Sequence, residues 1–389
     1  MNQLANSFRG NIRQYAMVFA LVFIVVMFQI MTKGVLLVPQ NVTNLIQQNS
    51  YILILAMGML ICIVAGSFDM SVGSVAGFIG ALCAVLIINL QINPTLAILA
   101  SALVGAIIGG LQGYFIAYVR VPAFIVTLSG MLLFRGLTQV LLEGRTLAPF
   151  PKEFKLVSTG FLPEFFEGTR LHLTTILVGA AIWLVIITLQ FIKRRRKTKL
   201  NIDVLPPLTF AAQLILTTCL IGFFTYWLAL YKGFPTVLVL LFAMYLFYDF
   251  ITTKTVIGRH VYALGGNEKA SHLSGVNTKG VLFIAFVNMG FVAAIAGIIF
   301  AGRLDAATPK AGTGFELDAI AACYIGGASS SGGVGTVIGV IIGALFMGVL
   351  NNGMSIMGVN VDWQLAIKGV VLLMAVVFDV YSKSKSAVG

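Results

Sequence analysis

Two carboxylates interrupt long apolar stretches of this chain, and they are the first residues that could do chemistry. Asp69 lies in GSFDMSVGS and Asp318 lies in FELDAIAACYIGGAS. An aspartate beside a Gly-rich apolar segment can accept backbone N–H bonds at the start of a helix, and it also complements the helix dipole. We predict that Asp69 caps a helix beginning at Met70 or Ser71, with direct contact to a solute as the alternative.

The two aspartates share a pattern that suggests an internal repeat. Each is followed by a glycine eight residues later, Gly77 and Gly326 respectively. When membrane crossings are counted along the chain, the two helices are predicted to start from opposite faces of the membrane. Inverted repeats with discontinuous helices have this arrangement, and they are common in transporters. With two matched positions, the inverted repeat is a hypothesis.

Uncharged polar and aromatic side chains supply most of the remaining chemistry within the apolar stretches. Amides and aromatic faces suit neutral polyols, because they bind hydroxyl groups without a counter-charge. The same side chains also hold membrane helices together, which is an equally good explanation for any one of them. The predicted solute pathway comprises both aspartates together with Asn49, Phe124, Asn351 and Asn352.

A polar segment, residues 253–279 (TKTVIGRHVYALGGNEKASHLSGVNTK), separates two long apolar stretches. Such a segment has no reason to enter a bilayer, and we expect it in the cytosol. Its apolar residues recur at helical spacing and predict a short amphipathic helix offered to a soluble partner. In this interpretation Gly265 and Gly266 allow a sharp bend, Asn267 caps the helix that follows, and Leu273 is an exposed apolar contact.

Motifs of stand-alone enzymes are missing from the sequence. GGASSSGGVGTVIG at 326–339 superficially resembles a phosphate-binding loop, but it lacks the Lys-Ser/Thr of a P-loop. The sequence contains no HExxH and no Gly-x-Ser-x-Gly, and His172, His260 and His272 do not have metal-ligand spacing. The apolar stretches also lack the chains of ionisable residues that ion-coupled carriers use. We expect no catalytic residue, bound metal or resident cofactor.

The composition excludes an ordinary soluble protein. The mean hydropathy is +1.00, with 59% hydrophobic and 10% charged residues. Apolar stretches long enough to cross a hydrocarbon core of about 30 Å recur along the chain, and they do not alternate as barrel strands do. We predict an all-α polytopic transmembrane helical bundle of about 10–12 spans, with residues 1–389 as one domain.

The formal charge of +12 is explained by membrane topology. Basic residues cluster at 9–13, 193–199, 254–279 and 383–385, and alternating crossings bring all four clusters to one face. By the positive-inside rule this face is cytoplasmic, as are both termini. Binding of nucleic acid is therefore not expected. The glycine pairs Gly105/Gly109 and Gly339/Gly343 predict close contacts between helix backbones.

Five ordered blocks resemble one known family. They are GSFDMSVGS, VPAFIVTLSGMLLFRG, YALGGNEKASHLSGV, ELDAIAACYIGGASSSGGVGTVIG and LNNGMSIMGV, and they lie within residues 41–380. The chain resembles the inner-membrane permeases of monosaccharide ABC importers. It is most similar to the xylose and multiple-monosaccharide permeases, because residues 144–234 contain an added loop and two added spans. Phe68 and Met70 replace the aliphatic residues usual around Asp69.

The resemblance implies a permease that passes a neutral pentose or hexose across a bacterial inner membrane by alternating access. An extracytoplasmic binding protein would deliver the sugar, a cytosolic ATPase would consume ATP and Mg, and the permease would form a homodimer in the lipid bilayer. Residues 253–279 would couple to the ATPase, through Gly265, Gly266, Asn267, Glu268, Ala270, Leu273, Ser274 and Gly275.

Three alternatives stay open. An ABC permease for an amino acid, a nucleoside or a signalling molecule would need a buried charge if its solute is charged, and Asp69, Arg135 and Lys368 are the residues available. A secondary carrier or channel would need no ATPase, so its transport would survive loss of the 253–279 segment. A membrane enzyme or scaffold is disfavoured, because no catalytic constellation is present.

Overall fold

The computed structural model describes residues 2–166, 171–200 and 206–386, excluding the side chains of 2–16, 378 and 382–386. The predicted fold class is confirmed, since the described residues form an all-α bundle. The basic side chains at 9, 13, 383 and 385 lie outside this description. The helices are α1 (Asn2–Met31), α2 (Pro39–Val64), α3 (Val72–Ala84), α4 (Pro94–Ala117), α5 (Ala123–Leu142), α6 (Lys152–Thr159), α7 (Leu173–Lys199), α8 (Pro207–Ala229), α9 (Thr236–Lys254), α10 (Val256–Gly266), α11 (Glu268–Leu273), α12 (Thr278–Leu304), α13 (Phe315–Ile325), α14 (Val337–Ile356) and α15 (Val361–Ser386).

Ten helices in the described part of the chain are long and apolar enough to cross a membrane. They are α2, α3 with its π-helical extension Val85–Asn89, α4, α5, α7, α8, α9, α12, α14 and α15. Two shorter apolar helices accompany them, the Met17–Met31 part of α1 and the eleven-residue α13. The predicted range of 10–12 spans therefore holds. The count is ten without the two shorter helices and twelve with them.

The connecting segments sort into two ends of the bundle. At one end, here called the basic end, Arg120 lies 3.4 Å from Glu268. There the amide of Gly333, in the loop 326–336, also donates to the carbonyl oxygen of Val64 at the end of α2. At the opposite end Leu147 pairs with Ala307 in an isolated bridge. The α4–α5 connection thus lies at the same end as the segment before α12, and the segment after α5 lies at the same end as the segment after α12. The crossing count predicts this arrangement.

The core is built on close backbone contact between α4 and α12. A Cβ atom on Gly109 would collide with the carbonyl oxygen of Phe286, and one on Gly290 would collide with the carbonyl oxygen of Gly105. Membrane helices gain little from hydrophobic burial against each other, so contact at this distance has to come from van der Waals packing of small residues. The predicted close contact between helix backbones at Gly105 and Gly109 is therefore confirmed.

Two helices begin inside the bundle. Ser71, immediately before α3, lies against Gly130, which is about 10 Å along α5 from the basic end. From the other direction, the loop before α13 enters from the opposite end, and its Gly312 would collide with the carbonyl oxygen of Gly73 if it carried a Cβ. Discontinuous helices are therefore present, whereas the inverted repeat itself stays a prediction.

The helical hairpin α7–α8 is attached at the periphery. In the most apolar 18 residues of α7, 11% of the residues are buried in the monomer, and in those of α8 none is buried. The two helices pack on each other where Gly179 meets Thr225, and the indole of Trp227 donates to the carbonyl oxygen of Leu37. A peripheral hairpin of this kind is compatible with an added pair of spans. The assignment of 144–234 as an insertion stays a prediction.

Two neighbouring glycines of α4 test the packing argument. Gly109→Ala forces α4 away from α12, whereas the Cβ of Gly110→Ala meets its nearest atom, in Val287, at 3.7 Å. Overpacking of this kind typically destabilises by about 1–3 kcal/mol. We expect a lower melting temperature in detergent for Gly109→Ala and an unchanged one for Gly110→Ala. Equal melting temperatures would contradict the contact.

Candidate solute pathway and coupling surface

Asp69 holds the turn before α3. Its Oδ1 accepts hydrogen bonds from the backbone N and the Oγ of Ser71, both at 2.7 Å, and the side chain is 2% exposed. The helix begins at Val72, so the predicted start at Met70 or Ser71 was slightly early. Ser71 Oγ in turn accepts a hydrogen bond from the side-chain amide nitrogen of Gln112 on α4 at 2.9 Å. Asp69 thus organises the turn that enters α3, but the residue at the cap position is Ser71, and no side chain there makes a cap hydrogen bond.

Asp318 has a different environment, and the analogy with Asp69 was wrong in detail. It is the fourth residue of α13, whose start is capped by Gly314, and its side chain is 1% exposed. The Lys368 Nζ of α15 lies 2.9 Å from Oδ1 and 3.1 Å from Oδ2. Tyr51 of α2 donates to Oδ2 at 3.0 Å, and Asn351 of α14 donates to it at 3.5 Å. Asp318 therefore ties three helices to α13.

Aromatic rings close the space beside this ion pair. Tyr51 stacks on Phe315 with ring centroids 3.9 Å apart, and Phe300 meets both rings edge-on at 5.6 and 4.8 Å. Tyr51 and Phe315 are 8% and 7% exposed. The middle of the bundle is thus shut in this structure, with an aromatic cluster between α2, α12 and α13.

Glu316, which the sequence reasoning missed, lies in the same region. It is the second residue of α13 and is 6% exposed. Its Oε2 sits against Gly73 of α3 and has no hydrogen-bond partner among the described residues. Arg135 of α5 is the cation that acts on it electrostatically. Its spacing of two from Asp318, at the start of a short apolar helix, was the signal available in the sequence.

These residues correct one expectation. The sequence reasoning held that the spans lack chains of ionisable side chains. The fold instead gathers four of them around the start of α13, from three separate helices: Arg135, Glu316, Asp318 and Lys368. Arg135, Lys368 and the acidic pair on α13 look isolated along the chain, because they come from three segments far apart in sequence.

The other predicted pathway residues are dispersed. Asn49 bonds within α2 to the carbonyl oxygen of Leu45 and faces Gly348 of α14. Asn352 pairs with Asn41 at 2.8 Å at the opposite end of the bundle. Phe124 is 50% exposed on the surface of α5. Among the predicted residues that the structure describes, the fold therefore brings Asp318 and Asn351 together, and Asn352 joins α14 to α2 through Asn41.

The polar segment forms two short helices. Gly265 and Gly266 are the last residues of α10, and the extended Asn267 separates them from α11. A Cβ on Gly265 would collide with the carbonyl oxygen of Val64 and approach the amide of Gly333, whereas a Cβ on Gly266 would meet nothing within 4 Å. Gly265 is therefore required for backbone contact with α2 and with the loop 326–336, and the sharp bend at the pair stays a prediction. The predicted cap is present, since Asn267 Oδ1 accepts from the amide of Ala270 at 3.0 Å.

The apolar residues of the segment face two ways, which corrects the single amphipathic stripe expected. Val261 and Leu264 of α10 are 2% and 5% exposed and belong to the core of the bundle. Ala270 is exposed, and Leu273 at the end of α11 is 88% exposed. Helix α10 is therefore part of the bundle, and α11 is the part presented outwards.

Helix α11 is closed and tethered by its neighbours. Ser274 Oγ donates to the carbonyl oxygen of Ala270 at 2.8 Å, and Gly275 takes a positive φ of 84° that ends the helix. Glu268 pairs with Arg120 at 3.4 Å, but both side chains are more than half exposed. An ion pair in that setting contributes little stability. The ion pair nevertheless joins α11 to the connection between α4 and α5.

Helix α10 is also bonded to the loop 326–336. The Tyr262 hydroxyl donates to the carbonyl oxygen of Gly335 at 2.7 Å. Burial, with the nearby Asp249 carboxylate, raises the pKa of Tyr262, so the phenol stays protonated and able to donate. Further along the same loop, the amide and Oγ of Ser330 donate to Asp379 of α15 at 3.1 and 3.2 Å. A displacement of α10 would therefore reach α2, α14 and α15.

At the opposite end, the segment around α6 is fastened to the end of α12. Lys155 Nζ lies 2.7 Å from Asp305 Oδ2, and the amide of Phe150 donates to Oδ1 at 2.9 Å. The hydrogen bond from Lys155 is the main reason that the pKa of Asp305 is lowered. The outer surface of this end is therefore ordered by contacts that are present at neutral pH.

The Asp318–Lys368 pair makes a prediction about stability. Lys368→Met leaves a buried carboxylate without its counter-charge, a change that typically destabilises by about 3–5 kcal/mol. The double variant Asp318→Asn/Lys368→Met removes both charges and should recover most of the loss. We expect melting temperatures in detergent to fall clearly for the single variant and to rise again for the double. A single variant as stable as the wild type would show that the pair is not a buried interaction.

Comparisons with known proteins agree with this architecture. A family profile described as "Branched-chain amino acid transport system / permease component" matches residues 41–376. The xylose transport system permease protein of Escherichia coli K12 is 36% identical over 376 residues, covering 97% of this chain and 94% of the relative. The corresponding Haemophilus influenzae protein is 37% identical, covering 96% and 98%.

The ribose import permease protein of Escherichia coli K12 is 35% identical over 339 residues, which is 87% of this chain and 85% of the relative. No solved structure matches the chain significantly. These relatives are permease components, and the described residues form a multi-pass membrane protein. The resemblance drawn from the five sequence blocks is confirmed, and the chain belongs to the permease family of the monosaccharide ABC importers.

Proposed function

We propose that this chain is the permease subunit of an ATP-driven importer for a neutral monosaccharide, a pentose or a hexose. The carrying observation is similarity over nearly the whole chain to xylose and ribose permeases. A cytosolic ATPase hydrolyses ATP with Mg, and the permease itself holds no cofactor. An extracytoplasmic binding protein delivers the sugar and provides most of the specificity.

The proposed orientation puts the basic end and both termini in the cytosol, in the inner membrane of a bacterium. Two observations support it. The segment 254–279 and Arg120 contribute basic residues to one end of the bundle, and positive residues remain on the cytoplasmic side. The loop 144–166, by contrast, carries both signs of charge and packs at the other end.

Helix α11 is the proposed docking element for the ATPase. Leu273 is 88% exposed at the tip of a helix that Asn267 caps and Gly275 ends, so it is rigidly presented. An apolar side chain on a short helix is suited to a hydrophobic groove. Closure of the ATPases would push on α11, and α10 would pass the displacement to α2 and the loop 326–336. Alternating access follows if these helices tilt in each subunit of a homodimer.

A second candidate is an importer for an amino acid or another charged solute. The description of the matching family names branched-chain amino acids, and the ionisable groups around α13 could pair with a charged solute. The sugar assignment is preferred, because the named relatives along the full chain are sugar permeases.

Uptake into vesicles separates the candidates. Inverted or right-side-out vesicles would contain the permease with the ATPase and binding protein of its own operon, and they would be offered labelled D-xylose, D-ribose, D-galactose and L-leucine. We expect accumulation of a monosaccharide that requires ATP and both partners. Accumulation of leucine alone would favour the second candidate, and uptake by the permease alone would indicate a secondary carrier.

Leu273→Asp tests the docking element. A carboxylate in place of an exposed leucine leaves the bundle untouched but places a charge in the proposed groove. We expect loss of ATPase co-purification and of uptake, with unchanged melting temperature. Leu200→Asp is the matched control, because Leu200 is 69% exposed at the end of α7 and lies outside α11. Normal ATPase binding by Leu273→Asp, or equal loss in both variants, would count against this role.

A further inference from the structure

One oxygen of the buried Glu316 carboxylate lacks a hydrogen-bond partner. The side chain is 6% exposed, and Oε2 makes no hydrogen bond to any described residue. The backbone N–H groups of Glu316 and Gly314 stabilise the carboxylate, and Arg135 acts on it electrostatically, but Oε2 itself stays without a bond. A buried polar oxygen left unpaired is unfavourable, and a ligand that supplies the missing hydrogen would satisfy it.

Glu316 Oε2 faces the line where two discontinuous helices meet. It abuts Gly73 at the start of α3, and Gly73 and Gly77 touch the backbone of Gly312 and Ala311 before α13. We call this line of contact, residues 73–77 against 311–316, the seam. Breaks in membrane helices are where transporters bind their solutes, because freed backbone and side-chain groups can be offered there.

The seam is closed by contacts that can part. Gly73 and Gly77 on one side touch the backbone of Gly312 and Ala311 on the other. Among the described residues, no backbone hydrogen bond joins the two sides. One side is carried by α3. The other is continuous with α13, whose Phe315 stacks on Tyr51 of α2. Because α10 packs against the end of α2 at Val64, movement of the coupling segment would act on the aromatic cluster beside the seam.

The charges around the seam favour a solute without net charge. Glu316 and Asp318 carry two negative charges, and Arg135 and Lys368 carry two positive charges, so the region is neutral as a whole. A neutral solute can enter without creating an excess charge in the membrane, whereas an ion cannot. A carboxylate oxygen accepts hydroxyl hydrogens in short, strong bonds, and an aromatic face packs against the C–H side of a sugar ring.

We propose that the seam is the internal gate of the permease and that Glu316 Oε2 accepts a hydrogen bond from a hydroxyl group of the passing monosaccharide. The inference rests on the proposed function and extends it to a defined contact within the membrane. Glu316 is a solute-binding residue in this account, and Phe315 and Tyr51 form the aromatic barrier that separates when the seam opens.

The test compares Glu316→Ala and Glu316→Gln with the wild type in the reconstituted importer. Glu316→Ala removes the acceptor and should raise the KM for the transported sugar by about tenfold or more, corresponding to one lost hydrogen bond to a charged group. Glu316→Gln keeps an acceptor and should fall between. Binding-protein-stimulated ATPase activity should persist in both. Glu153→Gln makes the same chemical change on the exposed α6 and should transport normally.

Chemical labelling provides a readout independent of uptake. Glu316→Cys would be made together with Cys219→Ser, because Cys219 is the exposed native cysteine among the four. We expect a small charged methanethiosulfonate reagent to modify Glu316→Cys during ATP turnover, and excess transported sugar to protect it. Absence of labelling in every state, or labelling that the sugar does not affect, would overturn the gate.

The failure of this inference is distinguishable from failure of the proposed function. If the wild-type importer moves no monosaccharide, the proposed function fails and the gate fails with it. If the wild type transports and Glu316→Ala does so with unchanged KM, the proposed function stands and the gate alone is overturned.

Discussion

A helix that begins inside a membrane exposes backbone N–H groups where no water can satisfy them, and this constraint underlies the centre of the protein. Both α3 and α13 begin in this way. At α3, Asp69 accepts the amide and hydroxyl of Ser71, the residue just before the helix, and at α13 the acidic residues Glu316 and Asp318 lie in the first turn. Anionic side chains at these positions are stabilised by the helix dipole.

Placing carboxylates at this depth then requires further structure. Asp318 is compensated by Lys368 and by Tyr51, which draws α15 and α2 towards α13. The glycines of α3 let the loop before α13 approach to backbone contact, and those of α4 let α12 do the same. Small residues at these contacts bring the helices close enough for the polar groups to meet, so the glycine pattern and the charged cluster are two parts of one solution.

The basic end has a separate logic that connects with the first. Helix α10 packs against the end of α2 and is hydrogen-bonded to the loop 326–336, whereas α11 projects with an exposed leucine. This division gives a rigid transmitting helix and a contact helix in one short segment. Since α2 also carries Tyr51, the 26 residues of α2 connect the contact with α10 at Val64 to the aromatic cluster. A rigid helix of that length is a direct mechanical link between the basic end and the middle of the bundle.

The sequence by itself determined the class of the protein, the range of its span count and its family, because these depend on composition, run length and contiguous motifs. Local rules also predicted the Asn267 cap and the α4 glycine contact. Only the tertiary structure decided which polar side chains meet. The grouping of Asp318, Lys368, Tyr51 and Glu316 was not predicted from the sequence, nor was the contact of Gly265 with the end of α2. Lys368 and Tyr51 lie 50 and 267 positions from Asp318, and no periodicity encodes which distant helix lies opposite.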